Sequence, residues 1–456
     1  MEILIIGAGP GGYVAALYAA KRGLKVILID KAETGGTCLN RGCIPTKAIL
    51  HSAKLFHQSK SLANLGINVT VNGIDYSQIY KRSSDIITRL RRGVDSLLKK
   101  AGVTVIRGRA CLLAGNKVRV TIENEERLLT ADKIVIATGA QPAVIPVAPV
   151  DGNVILNSDH VLALTELPES MAIIGGGVIG CEFAQAFARL GCRVTVIEAL
   201  PRLASEMDTD VSELLHKVLE RDGVKIHLNA CVTSVDKAEA TVFFDTPQGN
   251  IECTAQKVLV AAGRKPKLDN LGLEAAGINY ANGFIEVDKH MQTNVPGIYA
   301  IGDVSGGIQL AHAASYGGIA AVKHMLNEDA DMSGICVPVC VYTDPEIACI
   351  GLTFDGAKKA GYDCRTGVFP VSANSRAMIE GSTDGFAKTV LDADGTILGA
   401  QLAGPNATEM ISLLGGLINF QTAASDMEEI IFAHPSVSEI IGECVLAADK
   451  MALHIP

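Results

Sequence analysis

Residues 3–12, Ile-Leu-Ile-Ile-Gly-Ala-Gly-Pro-Gly-Gly, decide the fold class of this chain. Four consecutive aliphatic residues read as a strand buried on both faces, and the glycine loop opens an Ala-rich helix expected to reach about Arg22. A second strand, residues 25–29, ends in Asp30. Each position has a physical reason. Gly7 permits a tight turn, Gly9 lets backbone approach a pyrophosphate, and Gly12 allows close helix–strand packing. The helix N-terminus faces the phosphates, and a carboxylate at the second strand's end takes ribose hydroxyls.

The unit recurs. Residues 171–174 form a strand, Gly175, Gly177 and Gly180 repeat the loop, a helix runs to about Leu190, and strand 193–197 ends in Glu198. From first glycine to acid, both units are 24 residues long without a gap. Two dinucleotides are implied. Glu198 favours NAD over NADP, because a 2′-phosphate calls for a cation there, although Arg202 follows closely. Three more buried strands end in small-residue turns and offer contacts to the first site: residues 134–137 before Thr138 and Gly139, residues 258–262 before Gly263, and residues 299–301 before Gly302 and Asp303. On spacing alone, Asp303 is as readily a turn residue as a ligand for a polyol chain.

Composition narrows the class. A length of 456 residues implies roughly three domains of about 150 each. Hydrophobic residues make up 48%, enough for several cores, and a net charge of -9 argues against a nucleic-acid surface. The basic cluster Arg89-Leu90-Arg91-Arg92 reads as the solvated face of an amphipathic helix. No apolar run is long enough to span a membrane, and a strand starting at Glu2 leaves no signal segment to expect. Most of the twelve cysteines, such as Cys181, Cys192, Cys336, Cys340 and Cys349, are scattered in apolar segments. They read as small buried side chains in a reducing, cytoplasmic compartment, where a functional disulfide would be catalytic.

One pair stands apart. Gly35-Gly36-Thr37-Cys38-Leu39-Asn40-Arg41-Gly42-Cys43-Ile44-Pro45-Thr46-Lys47 sets two cysteines five residues apart, just beyond the first fingerprint. Five residues of ideal helix rise roughly 7.5 Å, beyond the Cα separation of about 6.8 Å that a disulfide tolerates. A Cys38–Cys43 bridge therefore calls for an irregular turn, which Gly35, Gly36, Asn40 and Gly42 supply. Pro45 is expected to start a helix to about Gln58, with Cys43 just before it, where the helix dipole favours a thiolate. The alternative is a metal half-site or two unpaired thiols, but no second cysteine pair at zinc spacing accompanies it, so no metal is expected. Lys47 is either a solvated helix lysine or a cation beside a flavin ring. Glu182, placed in the first turn of the second fingerprint helix, favours that helix dipole whatever its role.

Near the end stands His434-Pro435-Ser436-Val437-Ser438-Glu439. A carboxylate accepting from one imidazole nitrogen fixes the tautomer and raises basicity, leaving the other nitrogen to take a thiol proton. An upstream dithiol site needs such a base. Gly404-Pro405-Asn406 and the apolar helix expected at 408–417 look like interface packing, and His312 opens a small-residue helix after Asp303.

Assembled, these motifs resemble the disulfide-reductase branch of the flavoprotein pyridine-nucleotide oxidoreductases, and within it the members that oxidise dihydrolipoamide. The resemblance spans essentially the whole chain, through GGTCLNRGCIPTK at 35–47, GGGVIGCE at 175–182, AIGD at 300–303, YTDPE at 342–346 and HPSVSE at 434–439. It implies an α/β fold with two Rossmann-like dinucleotide-binding domains, a central domain and an α+β C-terminal dimerisation domain. FAD would lie along the first unit, contacted by Gly7, Gly9, Gly12, Asp30, Thr37, Lys47, Thr138, Gly139, Gly263 and Asp303. NAD would lie on Gly175, Gly177, Gly180 and Glu198. Cys43 would face the flavin, Cys38 would exchange with substrate, and Lys47 and Glu182 would pair beside the flavin nitrogen that carries the hydride. His434, oriented by Glu439, would act across a homodimer interface on a lipoyl-bearing protein of a 2-oxoacid dehydrogenase or glycine cleavage complex. The domains would be 1–142 for FAD, 143–262 for NAD, 263–335 central and 336–456 for the interface.

The chain departs from the family pattern at Asp30, where Glu is usual, at Phe432-Ala433, where many relatives carry another histidine, and at Phe354, where Thr-Glu is common. Competing readings are an NAD(P)H-dependent reductase of another disulfide, such as glutathione, and a non-catalytic FAD-bound subunit or redox sensor. Glu198 weighs against the first, and the intact Cys38, Cys43, His434 and Glu439 weigh against the second.

Overall fold

The computed structural model describes residues 1–455. Its centre is two five-stranded parallel sheets built to one plan. In the first, strand Glu2–Ile6 lies between Lys25–Asp30 and Lys133–Ile136, with Thr104–Arg107 and Ile298–Ala300 at the edges. In the second, Ser170–Ile174 lies between Arg193–Ile197 and Lys257–Val260, with Lys225–His227 and Ile155–Leu156 outside. The central strands are buried on both faces, as their unbroken aliphatic runs require. Each unit also carries a three-stranded antiparallel meander ahead of its last central strand, at 109–130 and at 231–254. The repeat thus extends well past the 24-residue fingerprint.

The fingerprint geometry coincides bond for bond. Gly7 and Gly175 take φ of 107° and 110°, a left-handed turn that suits glycine. Their N–H groups donate to Ile29 O and Ile197 O. A Cβ on Gly12 would lie 1.8 Å from Gly7 O, and one on Gly180 would lie 2.0 Å from Gly175 O, so both helices need glycine at their closest approach. The helices run Pro10–Lys21 and Val178–Leu190, as the sequence predicts to within a residue.

The last part of the chain is an antiparallel sheet ordered Val339–Val341, Glu346–Gly351, Ile397–Gly404, Phe386–Asp392, Cys364–Pro370. Helices Ala407–Asn419 and Glu439–Ala447 pack on it through Ile411, Leu414, Ile440 and Ile441. Several large side chains of this region remain uncovered, the most exposed being Ile431 at 96%, Phe420 at 85% and Leu453 at 77%. The basic cluster at 89–92 lies on helix Tyr76–Lys100, with Arg89 and Arg92 exposed. Among the described residues no helix is long and apolar enough to cross a membrane.

Candidate active site

The two cysteines are joined by a different device from the irregular turn expected. Cys38 sits inside a short helix, Gly36–Arg41, and Cys43 is the first residue of a second, Cys43–Ser59. The break is a single residue, Gly42, at φ −150° and ψ −112°. A Cβ there would sit 3.0 Å from Thr37 O and 3.3 Å from Cys38 Cα, atoms of the helix that Gly42 ends. Asn40 is a clamp here, its Nδ2 donating to Thr34 O and Gly36 O at 2.9 Å each. Pro45 falls at the third helical position, so Cys43 lies within the helix and not before it.

Both cysteines are free thiols, and each shifts the titration of the other. Cys43 is lowered to about 7, chiefly because the Cys38 thiol donates to it and further because of the Lys47 charge, against the opposing effect of burial. Cys38 moves strongly upward for the reciprocal reason, with burial adding to it. Cys43 is thus the more acidic sulfur of the pair, and Cys38 the one that keeps its proton. Elsewhere burial alone pushes thiols up, Cys192 and Cys444 to about 12, which leaves them inert.

Lys47, one turn beyond Cys43, reaches out of the first unit. Its Nζ lies 3.0 and 2.9 Å from the two carboxylate oxygens of Glu182, whose side chain is 3% exposed. Glu182 is not in the first turn of its helix, which begins at Val178 and has no acid there. The ion pair, more than the helix dipole, explains a carboxylate at this depth. The resemblance did not name the third member of this group. Tyr342 N–H donates to Glu182 Oε1 at 3.0 Å, and the Tyr342 ring lies 4.5 Å from Lys47 Nζ. One helix, one fingerprint and one hairpin of the last sheet converge on a single charge pair.

These groups line one cleft of about 560 Å³. Gly9, Thr37, Thr138, Gly139 and Asp303 line it from the first unit, with Asp30 at one end. Val178, Ile179 and Glu182 enter from the second unit, and Cys340 and Tyr342 from the last sheet. His312 also lines it, with its Nε2 against Pro338 O at 2.7 Å. Burial raises the Asp303 carboxyl above its ordinary range, with Arg264 Nε 3.9 Å away opposing the rise. Gly263 does not line this cleft; it is the second unit's counterpart of Gly139, both left-handed at 98° and 69°.

The carboxylates at the strand ends are held alike. Asp30 accepts from Ala8 N–H and Ala32 N–H, and Glu198 accepts from the corresponding Gly176 N–H and Leu200 N–H. The shorter Asp30 therefore makes the contacts that Glu198 makes. Arg202 is engaged elsewhere, donating to Thr209 Oγ1 at 2.5 Å and Ser205 O at 2.8 Å.

The glycines test whether dinucleotides fit. Gly9 and Gly177 have φ of −70° and −71°, open to any residue. A Cβ on Gly177 would meet nothing within 4 Å, and one on Gly9 only Gly36 Cα at 3.9 Å. Neither backbone nor neighbours require glycine there, so the requirement comes from a group that approaches this space, as the phosphates of FAD and NAD would. A Gly177→Val chain is expected to fold normally and to raise the Kd for NADH at least about tenfold. Isothermal titration beside a thermal melt checks both halves, and an unchanged Kd would remove Gly177 from the nucleotide site.

His434 and Glu439 do not line the cleft within one chain. Glu439 Oε1 lies 2.9 Å from His434 Nδ1, and Glu439 Oε2 accepts from Ser436 N–H at 2.9 Å. Burial opposes ionisation of Glu439, but these two contacts outweigh it and hold its carboxyl below the usual range. The His434 side chain is 73% exposed, its second nitrogen free.

Comparison with known proteins agrees with this architecture. The chain matches the family described as pyridine nucleotide-disulphide oxidoreductase over residues 1–318, and the dimerisation domain of the same family over residues 337–445. It is 43% identical over 457 residues to a dihydrolipoyl dehydrogenase of Bacillus subtilis, covering 100% of both chains. It is 40% identical over 453 residues to a dihydrolipoyl dehydrogenase of Chlorobaculum tepidum, covering 98% of this chain and 97% of the relative. Among solved structures, LpdA from Mycobacterium tuberculosis superposes with a TM-score of 0.91 at 29% identity, covering 98% of this chain and 99% of that one. The HOCl-induced flavoprotein disulfide reductase RclA from Escherichia coli superposes with 0.86 at 30%, with the same coverage. By its two fingerprints, its dithiol helix and these matches, the chain belongs to the pyridine nucleotide-disulphide oxidoreductases and carries their dimerisation domain.

Proposed function

We propose that this protein is a flavoprotein disulfide oxidoreductase that oxidises protein-bound dihydrolipoamide and passes the electrons to NAD+. The observation that carries the reading is the cysteine pair, one sulfur favouring the thiolate near pH 7, beside a buried Lys47–Glu182 pair in a cleft shared by two dinucleotide units. FAD would be held by Gly7, Gly9, Gly12, Asp30, Thr37, Thr138, Gly139 and Asp303. Bound there, it supplies a two-electron carrier between the dithiol and the nicotinamide. NAD would be held by Gly175, Gly177, Gly180 and Glu198, and the lack of a free cation at Glu198 supports NAD over NADP.

The chain's own groups account for the rest. In the disulfide form, His434 Nε2 takes a proton from a dihydrolipoyl thiol, and Glu439 stabilises the resulting imidazolium. The substrate thiolate attacks Cys38 Sγ, the Cys38–Cys43 bond breaks, and Cys43 leaves as a thiolate. The second substrate sulfur then displaces Cys38 and closes the lipoyl ring, its proton passing to the leaving Cys38, so that Cys38 is left as a thiol and Cys43 as a thiolate beside the imidazolium. Lys47 keeps a positive charge beside Cys43, which stabilises its thiolate.

The site is shared between two subunits of a homodimer, His434 and Glu439 serving the partner's cysteines. The exposed dyad and the uncovered Phe420, Ile431 and Leu453 of the same domain support this. The four-part division at about 142, 262 and 335 is supported by sheet membership, with 298–300 returning to complete the first sheet. The partner is a lipoyl-bearing subunit of a 2-oxoacid dehydrogenase or glycine cleavage complex, and the cysteine usage supports a cytoplasmic setting.

The test is anaerobic NAD+ reduction by dihydrolipoamide, with NADP+ and reduced glutathione in parallel. Fast turnover confined to dihydrolipoamide and NAD+ is the expected result. NADH bleaching of the flavin without dihydrolipoamide turnover would refute the substrate and leave the disulfide-reductase class.

A further inference from the structure

Beyond the cleft, a part-buried cluster of three charges joins the second dinucleotide unit to the last sheet. Lys388, on strand Phe386–Asp392, donates to Asp208 Oδ2 and Asp210 Oδ2 at 2.9 Å each, and its side chain is 14% exposed. Gln401, opposite Lys388 in the next strand and 2% exposed, donates to the same Asp208 oxygen. Asp208 itself is 8% exposed and stands at the N-cap position of helix Thr209–Arg221, its side chain turned to Lys388 and Gln401 and making no cap bond. A lysine buried to this degree is rare unless it holds something in place.

What it holds is the loop running from Glu198 to Asp208. That loop packs directly on the second fingerprint. Ala204 N–H donates to Gly176 O, and a Cβ on Gly176 would lie 2.5 Å from Leu203 Cδ2. Gly176 N–H in turn donates to Glu198. Ala204 holds a φ of 42° to make the turn, and Met207 N–H closes on Ala204 O. The path from Lys388 through Asp208, the loop, Leu203 and Gly176 to Glu198 is made entirely of direct contacts.

We propose that Lys388 is a positioning residue for the nicotinamide dinucleotide: from another domain, it fixes the loop that sets the ribose-binding carboxylate against its fingerprint. The proposal rests on the reading of Glu198 as the ribose ligand. Without the ammonium, the buried Asp208 and the more exposed Asp210 are left side by side with no counter-charge, and the loop moves to separate them.

The variants are Lys388→Met, which keeps the stem's volume, and Asp210→Asn, which trims the cluster at its more exposed carboxylate, 40% exposed. The measurement is the rate of anaerobic flavin bleaching as a function of NADH concentration in the FAD-loaded dimer. For Lys388→Met, half-saturation is expected to rise about tenfold with the limiting rate unchanged, and for Asp210→Asn about threefold. Lys388→Arg is expected to restore most of the loss. A merely structural lysine would lower the thermal midpoint and leave half-saturation where it was, and that result overturns the proposal. If Lys388→Met does not fold, an unchanged Asp210→Asn half-saturation overturns it equally. This readout needs no disulfide substrate, so failure of the dihydrolipoamide assay in the unaltered protein refutes the substrate and not the clasp.

Discussion

A Cys43→Ser chain is expected to keep FAD and both fingerprints intact, yet to lose dihydrolipoamide-dependent NAD+ reduction by at least about 1,000-fold. The substitution removes the one sulfur that favours the thiolate near neutral pH, and no other thiol of the cleft replaces it. Cys340 also lines the cleft, but burial pushes it up to about 11. Hydride exchange between NADH and the flavin does not pass through the sulfurs and should persist. In the unaltered dithiol form, thiolate absorbance should be lost as pH falls through about 7, the value to which Cys43 is lowered. Turnover by the Ser variant within tenfold of the parent chain would sink the disulfide mechanism.

Replacing the base should have the second largest effect. His434→Gln is expected to lower turnover by about 100- to 10,000-fold, the usual worth of a positioned general base. The same substitution tests whether the site is shared. When Cys43→Ser and His434→Gln chains are co-expressed with different tags and the mixed dimer is isolated, a cross-subunit arrangement leaves one of the two sites whole. About half the parent activity per dimer should return. If the dyad served its own chain's cysteines, no mixed dimer would hold an intact site and activity would stay at the level of the separate variants.

The sequence made the dinucleotide units legible because their constraints are local. A left-handed Gly7 or Gly175, a crowded Gly12 or Gly180 and an acid at the next strand's end all fall within 24 residues. The dithiol was legible as chemistry but not as shape. The reading assumed one irregular turn between Cys38 and Cys43, whereas the chain stays helical to Arg41 and resumes at Cys43 across Gly42 alone, a placement that spacing does not encode. Long-range partners were the least visible. Nothing near Tyr342 announces that its N–H meets Glu182 160 residues away, and Arg189 gives no local sign of its ion pairs to Asp222 and Asp344. The Lys388 cluster joins residues about 180 apart in the chain, with no periodicity to betray it.

The burial of Glu182 ties three parts of the chain to one atom group. Its carboxylate is shut from water and satisfied by two outsiders, Lys47 from the first unit and the Tyr342 N–H from the last sheet. Moving the second unit away would part the carboxylate from both and return it to water, and that hydration repays much of what the lost contacts cost. The group therefore sets where the second unit rests more than how tightly it is held.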